Sequence, residues 1–266
     1  MKLSLFQVDA FTDKVFSGNP AAVCPLEVWL SDDQMQCIAA ENNLSETAFC
    51  VRQGDAYGLR WFTPKSEVQL CGHATLATAF VLFHHVEPAT RVAQFKTCGG
   101  LLKVCEEDGH IVMDFPSLPA RSCAAVPQDL LQGLSPQPKT VVETGQTAAE
   151  RNYFVVYERE QDVRSARPNL SLLEKMHPAG VCITAPGEVS DFVSRYFAPS
   201  YGVPEDPVTG STHCTLGPYW APRLKKSCLH ARQLSPRGGE LLVEPRGGRV
   251  LLKGKAVLYL TGTVTI

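Results

Sequence analysis

The sequence predicts an α+β protein of two similar halves, each a curved, mostly antiparallel β-sheet wrapped around a central α-helix. Two observations indicate this fold class: a set of landmarks that occurs twice in the same order, and an apolar helix in the first copy with almost no polar face. The short spacing between strand-like segments is the third, because hairpin-length connections favour antiparallel pairing.

Three landmarks recur about half a chain apart. An Arg-aromatic-Phe-x-Pro segment comes first, a Gly that begins an apolar run follows, and a Gly-Gly pair that opens a β-hairpin comes last. The copies lie at residues 60–64 and 195–199, at Gly72 and Gly210, and at residues 99–100 and 238–239. Because strand-turn-strand patterns recur by chance in α+β proteins, the shared order is what indicates a duplicated unit.

A proline-rich stretch between the copies predicts the domain boundary. Residues 116–139 contain five prolines, which are unfavourable inside helices and central strands and are typical of connections. We therefore expect a first half over residues 1–116 and a second over residues 117–266, with the last strand able to return to the first half. A chain of 266 residues is long enough for two cores.

Local patterns predict the elements of the first half. Strands are expected at residues 2–11, 47–52, 58–62, 93–97, 101–105 and 110–115. A surface helix is expected over residues 32–42, because Ser31 and Gln34 form a capping-box pattern and apolar residues share one face. The helix that begins at Gly72 must be enclosed, since its residues are apolar all round.

Composition excludes several classes of function. The net charge of −2, without a long basic run, argues against nucleic-acid binding, and no apolar run is long enough to span a membrane. The N-terminus lacks the pattern of a signal peptide, so we expect a cytoplasmic protein whose ten cysteines are reduced. No spacing of His and Cys predicts a metal site. Whether the chain forms a homodimer is left open.

Both Gly-helix junctions are candidate binding sites for a small molecule. A helix that begins at Gly72 or Gly210 offers unpaired N–H groups and a positive dipole end to a substrate carboxylate, although ordinary capping is the alternative. If the halves face each other, both helix starts would point into one interdomain cleft. His73 would lie in the first turn, where the local positive potential favours a neutral imidazole. Asp206 precedes a proline and could form a turn or hold a polar group of the substrate.

Four ordered motifs carry a resemblance to a known family. Residues 18–23 (GNPAAV), 43–49 (NLSETAF), 70–75 (LCGHAT) and 205–211 (EDPVTGS) resemble the PhzF-like, or phenazine biosynthesis-like, proteins, and the resemblance spans nearly the whole chain. It implies a diaminopimelate epimerase-like fold of two barrel-like halves, each enclosing a helix. That fold agrees with the repeat found in the residues.

The resemblance also implies a function. Glu46 stands where the family's phenazine enzyme has the glutamate that moves a proton on a dihydro-hydroxyanthranilate ring without a cofactor, whereas its own surroundings would suggest an exposed loop carboxylate. We therefore expect a cofactor-independent isomerase of a small carboxylate-bearing substrate. The expected catalytic residues are Glu46, His73 and Asp206, and the expected substrate-binding residues are Gly72, Gly210, Ser211 and Thr212. The chain departs from the phenazine enzyme at residues 212–214 (THC), where that enzyme has smaller residues.

Two other functions remain as alternatives to the isomerase. A two-thiol racemase or epimerase needs a cysteine at each helix start, and Cys71 is correctly placed. Its counterpart in the second copy is Thr209, while Cys214 lies four residues beyond Gly210. A non-catalytic small-ligand-binding protein is the second alternative, and Glu46 distinguishes it from the isomerase.

Overall fold

The computed structural model describes residues 1–145 and 151–266. They form an α+β fold dominated by β-strands, which confirms the predicted fold class. The chain divides into two compact units: unit 1 comprises Met1–Phe115 with Leu251–Ile266, and unit 2 comprises Pro116–Val250. No helix in the described part of the chain is long and apolar enough to cross a membrane.

Unit 1 contains nine strands and two α-helices among its described elements. In chain order they are β1 (Lys2–Ala10), β2 (Asn19–Leu26), α1 (Asp32–Asn42), β3 (Glu46–Gln53), β4 (Ala56–Phe62), β5 (Glu67–Val68), α2 (Gly72–Val81), β6 (Val92–Thr97), β7 (Gly100–Glu107) and β8 (His110–Pro116), followed at the end of the chain by the last strand (Ala256–Thr265). A π-helical turn, Leu82–Val86, continues α2.

Most strand pairs of unit 1 are antiparallel. β1 pairs antiparallel with β2 and with the last strand, β3 with β4, and β6, β7 and β8 follow one another as hairpins. Two pairs are parallel, β2 with β3 and β4 with β6. The strand β2 was missed by the sequence analysis because it carries Pro20 and Pro25, which are uncommon in a strand paired on both sides.

Helix α1 begins where the capping-box pattern predicted. Ser31 Oγ accepts a hydrogen bond from Gln34 N, and Gln34 Oε1 accepts one from Ser31 N. The helix buries Met35, Ile38 and Ala39, so its apolar face is the predicted one.

Helix α2 lies inside unit 1, as its composition required. It begins at Gly72 and buries nine of its ten residues, packing against β1, β2 and β3. Two threonines within it satisfy their hydroxyls on the helix backbone: Thr75 Oγ1 donates to Cys71 O and Thr78 Oγ1 to Ala74 O. A helix that is apolar on all sides is stable only when enclosed in this way.

Unit 2 repeats the strand order of unit 1. Its elements are β9 (Arg121–Ser122), α3 (Gln128–Gln132), β10 (Thr140–Thr144), β11 (Asn152–Val156), α4 (Glu160–Ser165), α5 (Leu170–Leu173), β12 (Gly180–Pro186), β13 (Phe192–Ala198), β14 (Val203–Asp206), α6 (His213–Leu224), β15 (Leu229–Gln233) and β16 (Gly239–Arg246). The strand β17 (Arg249–Gly254) begins in unit 2 and continues into unit 1, and the last strand of the chain is β18.

The pairings in unit 2 follow the same sequence as those in unit 1. β10 pairs antiparallel with β11, β11 parallel with β12, β12 antiparallel with β13, and β13 parallel with β15. The helix predicted to begin at Gly210 begins later in the structure. A 3₁₀ turn over Gly210–Thr212 comes first, and the α-helix starts at His213.

Candidate active site

Glu46 and His73 are brought into contact within unit 1. Glu46 is the first residue of β3, where it pairs with Ala21 of the parallel strand β2, and His73 is the second residue of α2. Glu46 Oε2 lies 2.9 Å from His73 Nε2, and the side chains are 18% and 6% exposed respectively. Glu46 is therefore a largely buried carboxylate at a strand start rather than an exposed loop residue.

The carboxylate oxygen nearest to the imidazole is also without a hydrogen bond. Glu46 Oε2 is buried and accepts no well-aligned hydrogen bond from the residues that the structure describes, although it lies 2.9 Å from His73 Nε2. Buried polar atoms are nearly always hydrogen-bonded, and the exceptions concentrate at functional sites. This oxygen retains a lone pair that can take a proton.

The other nitrogen of His73 faces an asparagine. Asn19 Nδ2 lies 3.2 Å from His73 Nδ1, and Ser45 Oγ donates to Asn19 Oδ1 at 3.1 Å. The amide can serve either state of the ring, because its nitrogen donates to an unprotonated Nδ1 and its oxygen, after a half-turn, accepts from a protonated one.

A glycine fixes the position of Asn19. Gly18 has a φ of +65°, and a Cβ atom at this position would lie 2.2 Å from Ala10 O and 2.7 Å from Thr12 Cγ2. Only glycine combines this left-handed backbone with so close an approach. The backbone can therefore turn sharply into β2, whose first residue is Asn19.

The electrostatics of the site favour a protonated imidazole. Burial lowers the pKa of His73, but the neighbouring Cys71 sulfur and Glu46 carboxylate raise it, and the net direction is well above the ordinary value. Burial, followed by the charge of Glu46, raises the pKa of Cys71 to about 11, so the sulfur remains a thiol near neutral pH. Glu46 is then the charge that holds the proton on His73. The positive potential of the helix start favours the neutral imidazole, and the Glu46 carboxylate acts against it.

Three side chains of the site could also offer atoms to a metal ion. Ligand atoms of Glu46, Cys71 and His73 all lie within 4.8 Å of one another. The spacing of His and Cys along the chain predicts no metal site, and this stays a prediction.

The second group of predicted residues lies in unit 2. Asp206 ends β14, and its Oδ2 accepts a hydrogen bond from Thr209 Oγ1 at 2.5 Å. Gly210 and Thr212 are buried in the following turn, Ser211 is half-buried, and Thr212 Oγ1 donates to Thr209 O at 2.8 Å. The predicted residues thus gather around one helix start in each unit, and a cleft shared by both starts stays a prediction.

Sequence reasoning missed several residues that organise these two groups. Asn19 belongs to a motif that carried the resemblance but was given no role. His213 is fully buried, its Nδ1 donates to Thr209 O at 2.9 Å, and burial lowers its pKa to about 4. Gln233 lies 24 residues beyond Thr209 and contacts it directly. No local pattern marks such long-range contacts.

Comparison with known proteins identifies the relatives of the chain. The family model described as PhzC-PhzF, phenazine biosynthesis-like protein, matches residues 8–262. An uncharacterized isomerase of Pseudomonas aeruginosa is 49% identical over 264 residues, which cover 99% of each chain. The crystal structure of a PhzF-family phenazine biosynthesis protein from Enterococcus faecalis is 42% identical, with a TM-score of 0.93 and full coverage of both chains.

A more distant structure shows the fold alone. A predicted epimerase from Pseudomonas aeruginosa is 19% identical, with a TM-score of 0.73 over 99% of each chain. The relatives named as isomerases, together with the family model, place the chain in the isomerase class of enzymes. The chain belongs to the family of phenazine biosynthesis-like proteins, which confirms the resemblance carried by its four motifs.

Proposed function

We propose that this isomerase moves a proton within a small carboxylate-bearing substrate, without a cofactor, and that Glu46 is its general acid and base. One observation carries the proposal: Glu46 Oε2 is buried and accepts no hydrogen bond among the described residues, yet it lies 2.9 Å from an enclosed imidazole. A general base needs an available lone pair inside a site that excludes water.

The chemistry requires only one carboxylate. Glu46 takes a proton from an acidic C–H of the substrate, and the electron pair of that bond moves into the adjacent π-system. The protonated Glu46 then returns the proton to a second carbon on the same face, so atoms and charge balance without a co-reactant. The ring of His73, whose pKa is raised, lies 2.9 Å from this carboxylate.

The remaining predicted residues are proposed as substrate contacts. Cys71, which precedes α2, makes no side-chain capping bond, so the first amides of the helix, from Gly72 onward, have no side-chain cap. Thr209, before Gly210, likewise makes none to the turn that it precedes. We assign Asp206 to substrate contact and proton handling, and Ser211 and Thr212 to binding.

Replacing Glu46 tests the proposal directly. We expect Glu46→Gln to lower deuterium incorporation from D₂O into dihydro-hydroxyanthranilate, the substrate implied by the family's phenazine enzyme, by about 10²- to 10⁴-fold, the usual loss when a general base is removed. NMR and mass spectrometry would follow the label. Glu41→Gln, at an exposed glutamate of α1, is the matched control and should exchange at the wild-type rate. Equal exchange in wild type and Glu46→Gln would refute the catalytic assignment.

The same assay separates the two alternatives. A two-thiol racemase would lose activity in Cys71→Ser, whereas the present proposal expects the exchange rate to fall by less than about 10-fold, because a thiol with a pKa of about 11 is a poor base near neutral pH. A wild-type protein that binds dihydro-hydroxyanthranilate or other small carboxylic acids but exchanges no proton in any of them would be the non-catalytic binder.

A further inference from the structure

A buried glutamine at the end of β15 directs the hydrogen bonds of its side-chain amide to one loop. Gln233 is 1% exposed, and its Oε1 accepts from Thr209 N at 2.9 Å. Its Nε2 donates to Asp206 O at 2.9 Å and to Thr209 Oγ1 at 3.2 Å. One amide therefore holds both ends of residues 206–209, the segment that leads into the Gly210 turn.

The orientation of this amide is fixed by its partners. Turning it over would set its NH₂ group against the N–H of Thr209 and its oxygen against the carbonyl oxygen of Asp206, which replaces two hydrogen bonds by two repulsions. Because Nε2 can only donate, Thr209 Oγ1 accepts from it. The hydroxyl proton of Thr209 is then directed at Asp206 Oδ2, 2.5 Å away.

We propose that Gln233 is a positioning residue of this isomerase, which acts through the Thr209 hydroxyl to orient the Asp206 carboxylate and keep it ionised. The inference rests on the proposed role of Asp206 in the reaction. A hydrogen bond donated to a carboxylate favours its charged form, and a donor that is itself locked by a second donor cannot turn away.

Other groups near Asp206 are the same in every variant tested below. Tyr196 pairs with Asp206 across β13 and β14, and Arg195 and Glu205 form an ion pair beside it. Among the described residues, His213 Nδ1 donates to the backbone oxygen of Thr209 and not to the Thr209 hydroxyl. Asp206 itself has further partners. We call the hydrogen bonds from Gln233 Nε2 to Thr209 Oγ1 and from Thr209 Oγ1 to Asp206 Oδ2 the relay. A change in the titration of Asp206 on altering Gln233 or Thr209 therefore reports on the relay.

The test compares variants that break the relay with variants that keep it. Thr209→Val removes the hydroxyl but leaves both backbone bonds of Gln233, and Gln233→Met removes the whole amide. Thr209→Ser restores the hydroxyl. Ser235→Ala is the matched control, because Ser235 Oγ anchors the same loop through Pro207 O without joining the relay. Carbon-13 NMR of the Asp206 side-chain carboxyl gives its titration midpoint in each protein.

We expect Thr209→Val and Gln233→Met to move the Asp206 midpoint upward by about one pH unit, the size of a lost charge-favouring hydrogen bond. The double variant should move it no further than Thr209→Val alone. Thr209→Ser and Ser235→Ala should stay at the wild-type midpoint. An Asp206 midpoint in Thr209→Val equal to the wild-type value, or an equal shift in Ser235→Ala, would overturn the inference. Thr209→Val alone tests the inference if Gln233→Met does not fold.

Turnover adds a second readout. With dihydro-hydroxyanthranilate as probe, Thr209→Val and Gln233→Met should lower the exchange rate about 10-fold, and Thr209→Ser should restore it. If Glu46→Gln exchanges normally, the proposed function fails, but the Asp206 midpoints still decide the relay. If the midpoints do not move while Glu46→Gln is inactive, only the role of Gln233 is lost.

Discussion

His73 illustrates how a single neighbour reverses the behaviour of a buried side chain. An enclosed imidazole at a helix start is normally neutral, because both burial and the helix dipole disfavour its charge. Here Glu46 lies 2.9 Å from its Nε2, and the pKa of His73 is raised. The neighbouring carboxylate therefore keeps the proton on His73 to a higher pH than on a free imidazole.

This protonation makes the stability of the protein depend on pH. The pKa of His73 is higher in the folded than in the unfolded chain, so protonation stabilises the fold. That stabilisation is fully present below about pH 6.5, the unfolded value, and is lost as the pH rises through the folded-state pKa. We expect the difference in unfolding free energy between wild type and His73→Gln to be largest below pH 6.5 and to shrink at higher pH.

Urea denaturation over a series of pH values measures this difference. The matched control is His110→Gln, at a histidine whose Nδ1 contacts the backbone oxygen of Asp108 beside a turn. It should alter stability by less than about 0.5 kcal/mol throughout, as surface substitutions usually do. If the difference in unfolding free energy between wild type and His73→Gln grew with rising pH, the raised pKa of His73 would be contradicted.

At the scale of elements, the site depends on where β2 begins. The chain turns at Gly18, where a Cβ atom would lie 2.2 Å from Ala10 O. Asn19 then starts the strand β2 beside Glu46 and His73. Strand start and helix start thus meet at the same end of unit 1. The positions of Glu46 and His73 are therefore set by the paths of the backbone at the start of β2, β3 and α2.

Gly18→Ala should therefore be strongly destabilising. The added methyl would meet Ala10 O at 2.2 Å in a backbone with a φ of +65°, and we expect a loss of about 3 kcal/mol or more from strain and displacement together. Gly54→Ala isolates the strain, because Gly54 has a φ of +68° with nothing within 4 Å of the added carbon. It should cost about 1 kcal/mol. Similar losses for both, measured by urea denaturation, would show that the close approach is unimportant.

On the scale of the whole molecule, the two units share one topology but differ in how they fix the repeated arginine. In unit 1, Arg60 binds both carboxylate oxygens of Glu67 and its side chain is 27% exposed. In unit 2, Arg195 binds Glu205 in the same bidentate way and is 11% exposed. Each guanidinium also lies over the ring of the Phe two residues later.

The different burial predicts unequal costs of removing the two arginines. Arg195 also donates to Val163 O and Ala166 O, so Arg195→Met leaves a largely buried carboxylate and two backbone oxygens without this partner. We expect it to lower the free energy of unfolding by about 3 kcal/mol. Arg60→Met, at the more exposed pair, should cost about 1 kcal/mol. Denaturant unfolding of both variants would measure the difference, and equal costs would contradict this account.

The sequence by itself determined the α+β fold class, the repeated order of elements, the start of α1 at its capping box, the enclosed helix from Gly72 and the family. These features follow from local patterns and from motifs, each of which depends on residues that are close together in the sequence. The same patterns could not identify β2, because Pro20 and Pro25 argue against a strand and only pairing on both sides overrides them.

Only the tertiary structure decided the chemistry of the candidate site. It placed Glu46, 27 residues away along the chain, against His73, and this carboxylate raises the pKa of the ring. It also revealed Asn19 and Gln233, whose hydrogen bonds connect distant segments. The physical reason is that burial, charge and hydrogen bonding depend on distances in space, which spacing along the chain does not encode.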